Sequence, residues 1–341
     1  MITTNIRCFN NIKPLLKEEY NVIEQEVYNE LIIDESTKEG DFDIKKVNGR
    51  KETYFIEKDY NKPQNIFFIE YEDIVIWGRK IISELYIHKL IKSKNCSMIN
   101  KNMIVGILKN YRKEGRDIKI TYIPLTDGER INVFTKIKER RNYNIYYPFK
   151  YFDYDSLKEV VSPTDGWKIY SDTEITLFNG EKHLREYTIN FLDTLNIEKG
   201  SVFFDPACST GDFLYTIKKK YPNIIAIGQD LGKDMVECAT PKLDKVYYGD
   251  SINTPVLDDS VDFLFLRFLN FRVVSTSKAK ELYDILIKKV KVDGYVICFG
   301  HTPVLLSINE LKKDNFELIS CNGYTSKYDS IFQYYILRRK K

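Results

Sequence analysis

From Ser201 onward, short apolar runs alternate with amphipathic stretches at a regular spacing, and this restricts the fold more than any other feature of the chain. Ser201–Asp205 reads as a strand and Asp212–Lys220 as a helix; Ile224–Asp230 and Lys233–Ala239 repeat the pair. Lys245–Tyr248 and Val261–Phe265 are further strands, Lys278–Val290 a helix and Gly294–Phe299 a strand. Strands alternating with helices in this way predict a parallel sheet with helices on both faces. Phe316–Cys321 and Ser330–Leu337 then close it as an antiparallel pair.

The first half is less regular. Leu15, Leu16, Tyr20, Ile23, Val27, Tyr28 and Leu31 recur at helical spacing over residues 9–33. Phe42–Glu70, with Gly49 and Pro63, suggests short strands and turns; Tyr71–Lys92 returns to helical spacing, and Ile118–Pro124 looks like a strand. Ser162-Pro163-Thr164-Asp165-Gly166 punctuates the chain, and a helix over Lys182–Leu195 precedes the alternating half. The expected architecture is α/β: a doubly wound sheet with a terminal antiparallel hairpin over residues 182–341, a connecting segment over 162–181, and an N-terminal, mainly helical α+β domain over 1–161. A chain of 341 residues with 43% hydrophobic content is long enough for two such cores.

Charge and cysteine usage narrow the function classes. With 52 basic and 49 acidic residues the net charge is only +3, which gives no case for nucleic acid. Lys218-Lys219-Lys220 and Arg338–Lys341 read as a solvated face and a soluble terminus. The six cysteines form no CxxC pair, so neither a disulfide framework nor a metal site is expected. No apolar run approaches the roughly 18 residues needed to span a bilayer. The start, Met1–Arg7, lacks a signal-peptide pattern, so the expectation is a cytoplasmic protein with no membrane partner. The 25 Tyr and 20 Phe are enough for a core plus a pocket for a flat or cationic ligand.

The chemistry concentrates where the first strand of the alternating half ends. Asp205 closes that strand, and the loop Asp205-Pro206-Ala207-Cys208-Ser209-Thr210-Gly211 is mostly small. Ala207, Cys208, Ser209 and Gly211 would let a ligand approach the backbone closely, in the crevice where open α/β sheets bind ligands. Asp230, followed by Leu231, closes the second strand and could accept both hydroxyls of a ribose. Asp250, followed by Ser251 after the third strand, could accept from an adenine amino group. Three acids ending three successive strands, beside such a loop, point to S-adenosylmethionine (SAM).

These residues resemble the class I SAM-dependent methyltransferases over residues 182–341, about half the chain. Within that superfamily, Gln229-Asp230-Leu231 and Val261–Asn270 sit like the second-strand acid and fourth-strand segment of the small-molecule O-methyltransferases of plant and antibiotic pathways. The resemblance implies a small-molecule partner, an enzyme of secondary metabolism, and a lid, substrate or homodimerisation role for residues 1–161. It also counts Arg267, on the fourth-strand segment, among the cofactor-binding residues.

Two departures shape the expectation. Asp-Pro-Ala-Cys-x-x-Gly looks like the loop of adenine-N6 DNA methyltransferases, but those need an Asn-Pro-Pro-aromatic motif to hold a flipped base. Arg267-Phe268-Leu269-Asn270-Phe271-Arg272 contains no proline, which argues against DNA. The O-methyltransferases place a general-base His, followed by Asp, where this chain has Asn270 and Phe271, and an amide cannot take a proton at neutral pH. His88, His183 and His301 are the three histidines, each read as a surface or packing residue. Tyr170, in the segment passing over the cofactor, could face the sulfonium.

The expected function is therefore methyl transfer from SAM to a small-molecule nucleophile without a His base. A second reading resembles the azetidine-2-carboxylate synthases: SAM cyclises on its own amine and releases methylthioadenosine, with Asp205, Ser209, Asn270 and Tyr170 holding the amine and the sulfonium. A non-catalytic SAM-fold subunit is the third.

Overall fold

In a computed structural model, residues 49–57, 66–79, 98–114, 117–140, 142–150, 158–161, 181–313 and 315–341 are described. Two sheets organise them. The first contains β1 (Thr53–Glu57), β2 (Ile66–Tyr71), β3 (Ile74–Arg79), β4 (Ile104–Glu114), β5 (Asp117–Pro124) and β6 (Ile145–Tyr146), in the order β1-β5-β4-β3-β2-β6. All its pairs are antiparallel. Side chains alternate across it. Phe67, Ile69, Ile76 and Ile107 face α1 (Asp127–Glu139), which contributes Val133, Phe134 and Ile137, while Phe55, Phe68, Trp77 and Ile120 gather on the other face. A capping box starts α1: Thr126 Oγ1 accepts from the Glu129 N–H, and Glu129 accepts from the Thr126 N–H.

The helical spacing read over Tyr71–Lys92 is corrected in its described part. Tyr71 ends β2 and Ile74–Arg79 is β3, joined by the two-residue turn Glu72-Asp73 with Glu72 at φ 50°. Ile74-Val75-Ile76-Trp77 is apolar throughout because both faces of the sheet are covered, and such a run has no period that separates strand from helix. The described part of the N-terminal region is sheet plus α1; the helix read over 9–33 lies outside the described residues.

The second sheet runs β12-β13-β11-β10-β7-β8-β9. Its parallel strands are β7 (Val202–Asp205), β8 (Ile225–Asp230), β9 (Lys245–Tyr248), β10 (Val261–Leu266) and β11 (Val290–Phe299). β12 (Phe316–Thr325) and β13 (Ser330–Arg339) pair antiparallel, and β13 is also antiparallel to β11. The helices are α2 (Lys182–Leu192), α3 (Asp212–Lys220), α4 (Lys233–Ala239), α5 (Thr276–Leu286) and the single turn α6 (Ile308–Leu311). The strand alternation explains the layers. Phe203, Phe263, Phe265 and Phe299 pack under α2 and α3 against Leu184, Phe191, Phe213 and Leu214. Phe204, Leu264, Leu266 and Cys298 pack on the opposite face under Ala279, Leu282, Tyr283 and Leu286 of α5. Strand order reverses between β7 and β10, so a crevice opens at their carboxyl ends.

α5 starts two residues earlier than its spacing predicts because Ser275 caps it, its Oγ accepting from the Lys278 N–H at 3.3 Å. Glu159 adds to that cap from the N-terminal side, its Oε2 accepting from the Thr276 N–H (2.6 Å) and Oγ1 (3.0 Å). A 3-10 turn, Ile287–Lys289, ends the helix and lets β11 begin at Val290.

The two sheets meet along β13. Ile331 bridges Ile99, and the Tyr335 hydroxyl and Gln333 Nε2 both donate to the Ile145 carbonyl, at 2.8 and 3.0 Å. Ile331 and Phe271 belong to the same buried cluster as Phe67, Ile69 and Tyr147. No helix among the described residues is long and apolar enough to cross a membrane.

Candidate active site

Asp205 is the last residue of β7 and is fully buried. Its Oδ1 accepts from the Ala207 N–H at 3.1 Å, which turns the loop back over the strand end. The loop then lies against β8: the Cys208 N–H donates to the Gln229 carbonyl and the Ser209 N–H to Asp230 Oδ2, both at 2.8 Å. Ser209 (φ 52°) and Gly211 (φ 78°) are left-handed, and the Gly211 N–H turns back to the Cys208 carbonyl at 3.0 Å. Close packing needs Gly228, where a Cβ would come within 2.7 Å of Cys208 Sγ.

Asp230, at the end of β8, accepts one backbone N–H on each oxygen, from Ser209 and Gly232, both at 2.8 Å. A carboxylate has about four lone-pair sites, so roughly two remain for hydroxyl donors. Burial pushes this carboxyl above its ordinary value, against the pull of those N–H groups. Leu231 beside it is 47% exposed, an apolar side chain held out where a flat ring could rest. Across the crevice mouth, Asp250 Oδ1 accepts from the Ile252 N–H at 3.0 Å, with Lys278 Nζ 3.4 Å from Oδ2. Gln229 Nε2 donates to the Gly249 and Asp250 carbonyls, at 3.2 Å each, and the Ser251 hydroxyl bonds the Pro206 carbonyl. The three strand-ending segments are thus tied into one rim.

The centre of the site is Arg267, immediately after β10. Its Nε donates to Asp205 Oδ2 at 2.6 Å, its Nη1 to Glu181 Oε1 at 2.5 Å, and its Nη2 to the Ala207 and Cys208 carbonyls at 3.3 Å each. The guanidinium carbon sits 4.8 Å from the Phe213 ring centroid. Glu181, just before α2, also approaches Arg185 Nη1 (3.8 Å) and His301 Nε2 (3.4 Å). Burial alone would raise the Glu181 carboxyl; Arg267, with His301 and Arg185, more than offsets this and holds it down at about 2. Burial wins at Asp205, whose carboxyl stands above its ordinary value despite Arg267. Arg267 would be lowered by burial, but Asp205 and Glu181 reverse that and fix its charge.

Asn270, read from sequence as a catalytic candidate, lies in the wall of the crevice. It is 2% exposed; Nδ2 donates to the Arg267 carbonyl at 2.5 Å, and Oδ1 has no hydrogen-bond partner. Its amide rests on Gly300, where a Cβ would come within 1.9 Å of Nδ2. Residues 269–271 pair with 303–305 through Phe271 N–H to Pro303 (3.0 Å) and Leu305 N–H to Leu269 (2.9 Å). Tyr170 and His88 lie outside the described residues. His183 is buried edge-on to Phe332, with ring centroids 5.1 Å apart.

Glu181 and Arg185 were not legible as site residues. The only trace in the sequence is an acid and a base four residues apart on one helix, common on any solvated face. His301 shows as a polar residue just after a buried strand, and its partner, just before α2, is given only by the fold.

No protein-family model matches the chain. Isonocardicin synthase of Nocardia uniformis subsp. tsuyamanensis is 28% identical over 288 residues, covering 82% of this chain and 92% of that protein. Demethylmenaquinone methyltransferase of Staphylococcus epidermidis is 29% identical over 115 residues, covering 31% of this chain and 46% of its own. A solved SAM-dependent methyltransferase from Aquifex aeolicus aligns with 50% of this chain and 99% of its own, at 17% identity and a TM-score of 0.38. Five parallel strands with the order reversing between β7 and β10, an antiparallel β12–β13 pair at one edge, and a likeness to isonocardicin synthase spanning both sheets make the chain an enzyme of the class I methyltransferase fold.

Proposed function

We propose that the chain binds SAM in the crevice over β7, β8 and β10 and catalyses its reaction with a small-molecule nucleophile. The observation that carries this reading is Asp230: a carboxylate held by two N–H groups from the loop and the following turn, with lone pairs to spare. That geometry fits the two hydroxyls of a ribose, and the exposed Leu231 fits an adjoining adenine. Asp250 and Ser251 bound the adenine end. Asp205, Glu181 and Arg267 lie at the other end, where paired carboxylates and a guanidinium suit the ammonium and carboxylate of an amino acid.

SAM, when bound, supplies a carbon made electrophilic by its sulfonium. The chain orients it and excludes water; Arg267 stays charged, and the Asp205–Ala207 turn keeps the loop backbone in place. Positioning and desolvation of this kind supply much of the rate of a displacement. The relative that matches over both sheets is named as a synthase, which supports construction of a product from a small molecule. Small charge excess and the absence of a base-flipping motif support a small-molecule acceptor over nucleic acid.

Mass spectrometry tests the reading: protein with SAM alone, then with a mixed panel of small phenols, alcohols, amines and thiols. The expected result is S-adenosylhomocysteine formed only when an acceptor is present. Methylthioadenosine from SAM alone would replace this reading with cyclisation. Asp230→Ala should weaken SAM at least about a hundredfold by calorimetry, the loss of roughly two charge-assisted hydrogen bonds. Unchanged affinity would overturn the site.

A further inference from the structure

Resting on that reading, we propose that His301 is the proton acceptor for a hydroxyl nucleophile and that Glu181 is its positioning residue. The O-methyltransferase position for a base holds Asn270, whose amide cannot serve. His301 reaches the same crevice from the neighbouring strand: it follows Gly300 at the carboxyl end of β11, beside Arg267 at the end of β10.

Three observations select it. The first is contact with Glu181, Nε2 to Oε1 at 3.4 Å, on a carboxylate already anchored by Arg267 at 2.5 Å. Such catalytic hydrogen bonds run long without substrate and tighten on binding. A carboxylate there favours the tautomer with the proton on Nε2, which leaves Nδ1 with its lone pair free. The second is that both ring nitrogens are buried without a hydrogen-bond partner, so Nε2 is placed to close on Glu181 while Nδ1 has none to give up. The third is charge. Asp205 and Glu181 are matched by Arg267 and Arg185, so His301 is the group in this cluster that can gain a proton without stranding an opposite charge. Its side chain is 22% exposed, against 6% for Arg267 and none for Asp205, although both ring nitrogens are buried, so an acceptor must reach Nδ1 within the crevice. Glu181 itself is a poor base, its carboxyl being held down at about 2 by Arg267 over the opposing effect of burial.

The step balances. The acceptor oxygen forms a bond to a carbon on the sulfonium while its proton passes to His301 Nδ1. The carbon–sulfur bond breaks, its electron pair stays on sulfur as a neutral thioether, and His301 later returns the proton to water. Alcohols and phenols need this help because a neutral hydroxyl attacks weakly until its proton is drawn off, whereas a free amine or a thiolate attacks through its own lone pair; the base therefore suits a hydroxyl acceptor.

The chain has three histidines, so nitrogen-15 NMR of the full protein labelled at histidine resolves each ring, with His301→Asn and His183→Asn as assignments. The expected spectrum shows His301 protonated at Nε2 and bare at Nδ1, and Glu181→Gln shifts that tautomer balance. A proton on Nδ1, or a balance unmoved in Glu181→Gln, overturns the proposal. In turnover, the same acceptor panel with SAM should give product on hydroxyl members, and His301→Asn should lose about a hundredfold or more, the usual contribution of a general base. SAM affinity by calorimetry should stay within about threefold. Wild-type turnover in His301→Asn, or reaction confined to amines and thiols, overturns it. If no panel member reacts, the tautomer decides. Failure of the wild-type protein to bind SAM would instead sink the underlying reading, whatever His301 shows.

Discussion

Replacing Arg267 with methionine removes the counter-charge from two carboxylates and leaves them facing each other in the crevice floor. Asp205 has no exposure and the Glu181 side chain 15%, so water cannot take over the guanidinium's role. Methionine keeps much of the stem packing on Phe213 but loses the cation over its ring, worth about 1 kcal/mol. Breaking a buried ion pair from one side costs roughly 3–5 kcal/mol, a large part of the roughly 5–15 kcal/mol that holds an ordinary domain folded. We expect a loss of about 3–5 kcal/mol at pH 7.5, read by urea unfolding followed by circular dichroism. The sign of the pH dependence follows from the carboxyls. Without Arg267, burial and mutual repulsion raise their folded pKa values above the unfolded ones, so the variant's penalty is full above the folded values and fades as pH falls through them. The gap to the wild type should therefore narrow between pH 7.5 and pH 5. Adding Asp205→Asn should recover part of the loss, because the repulsion disappears with one charge. A cost under about 1 kcal/mol at pH 7.5, or one equal at both pH values, would refute the buried-cluster reasoning.

The remaining predictions concern single contacts. Glu181→Gln should flatten the acid limb of the stability curve. A carboxyl held at about 2 instead of 4.5 stabilises the fold above the unfolded value and loses that contribution as pH falls from there toward 2, so the variant should be weaker at pH 7 and near wild type at pH 2. Gly300→Ala puts a Cβ within 1.9 Å of Asn270 Nδ2, and the crevice wall must shift; a cost of about 1–3 kcal/mol is expected as a lower melting temperature. Gly228→Ala should push the Cys208 side chain, which a Cβ would approach to 2.7 Å, and weaken SAM binding by calorimetry about tenfold or more. Tyr335→Phe removes one of two donors to the Ile145 carbonyl and should cost about 1 kcal/mol in urea unfolding, since Gln333 keeps that oxygen bonded.

Much of the second sheet was legible because most of its parallel strands are short, end at a punctuation mark and alternate with amphipathic helices. Asp205, Asp230 and Gly249 stop strands, and Lys233–Ala239 and Asp212–Lys220 fall on their predicted bounds. The first sheet was harder. Ile74–Trp77 is covered on both sides, and a run without polar residues carries no period at all. The site divides along the same line. Its loop and acids lie at strand ends, where local sequence specifies geometry. The Arg267 cluster joins the end of β10, the start of α2 and the end of β11, across 120 positions from Glu181 to His301, and only the sheet order brings these together. Asn270 stood out because it occupies a familiar position; its burial through the pairing of residues 269–271 with 303–305 was not legible.

The seam along β13 also limits how the molecule can be divided. Ser330 through Leu337 are all buried: Phe332, Tyr334 and Ile336 pack with Leu184 and Phe191 of α2, while Ile331, Gln333 and Tyr335 meet the first-sheet side at Ile99 and Ile145. A fragment starting at Lys182 would expose Ile331, Gln333 and Tyr335 and leave the ring hydroxyl and the amide to find water in place of Ile145. Shuffling acceptor preference by exchanging N-terminal halves between relatives would therefore carry this seam with it, and a working chimera needs Ile99, Ile145 and β13 taken from the same parent.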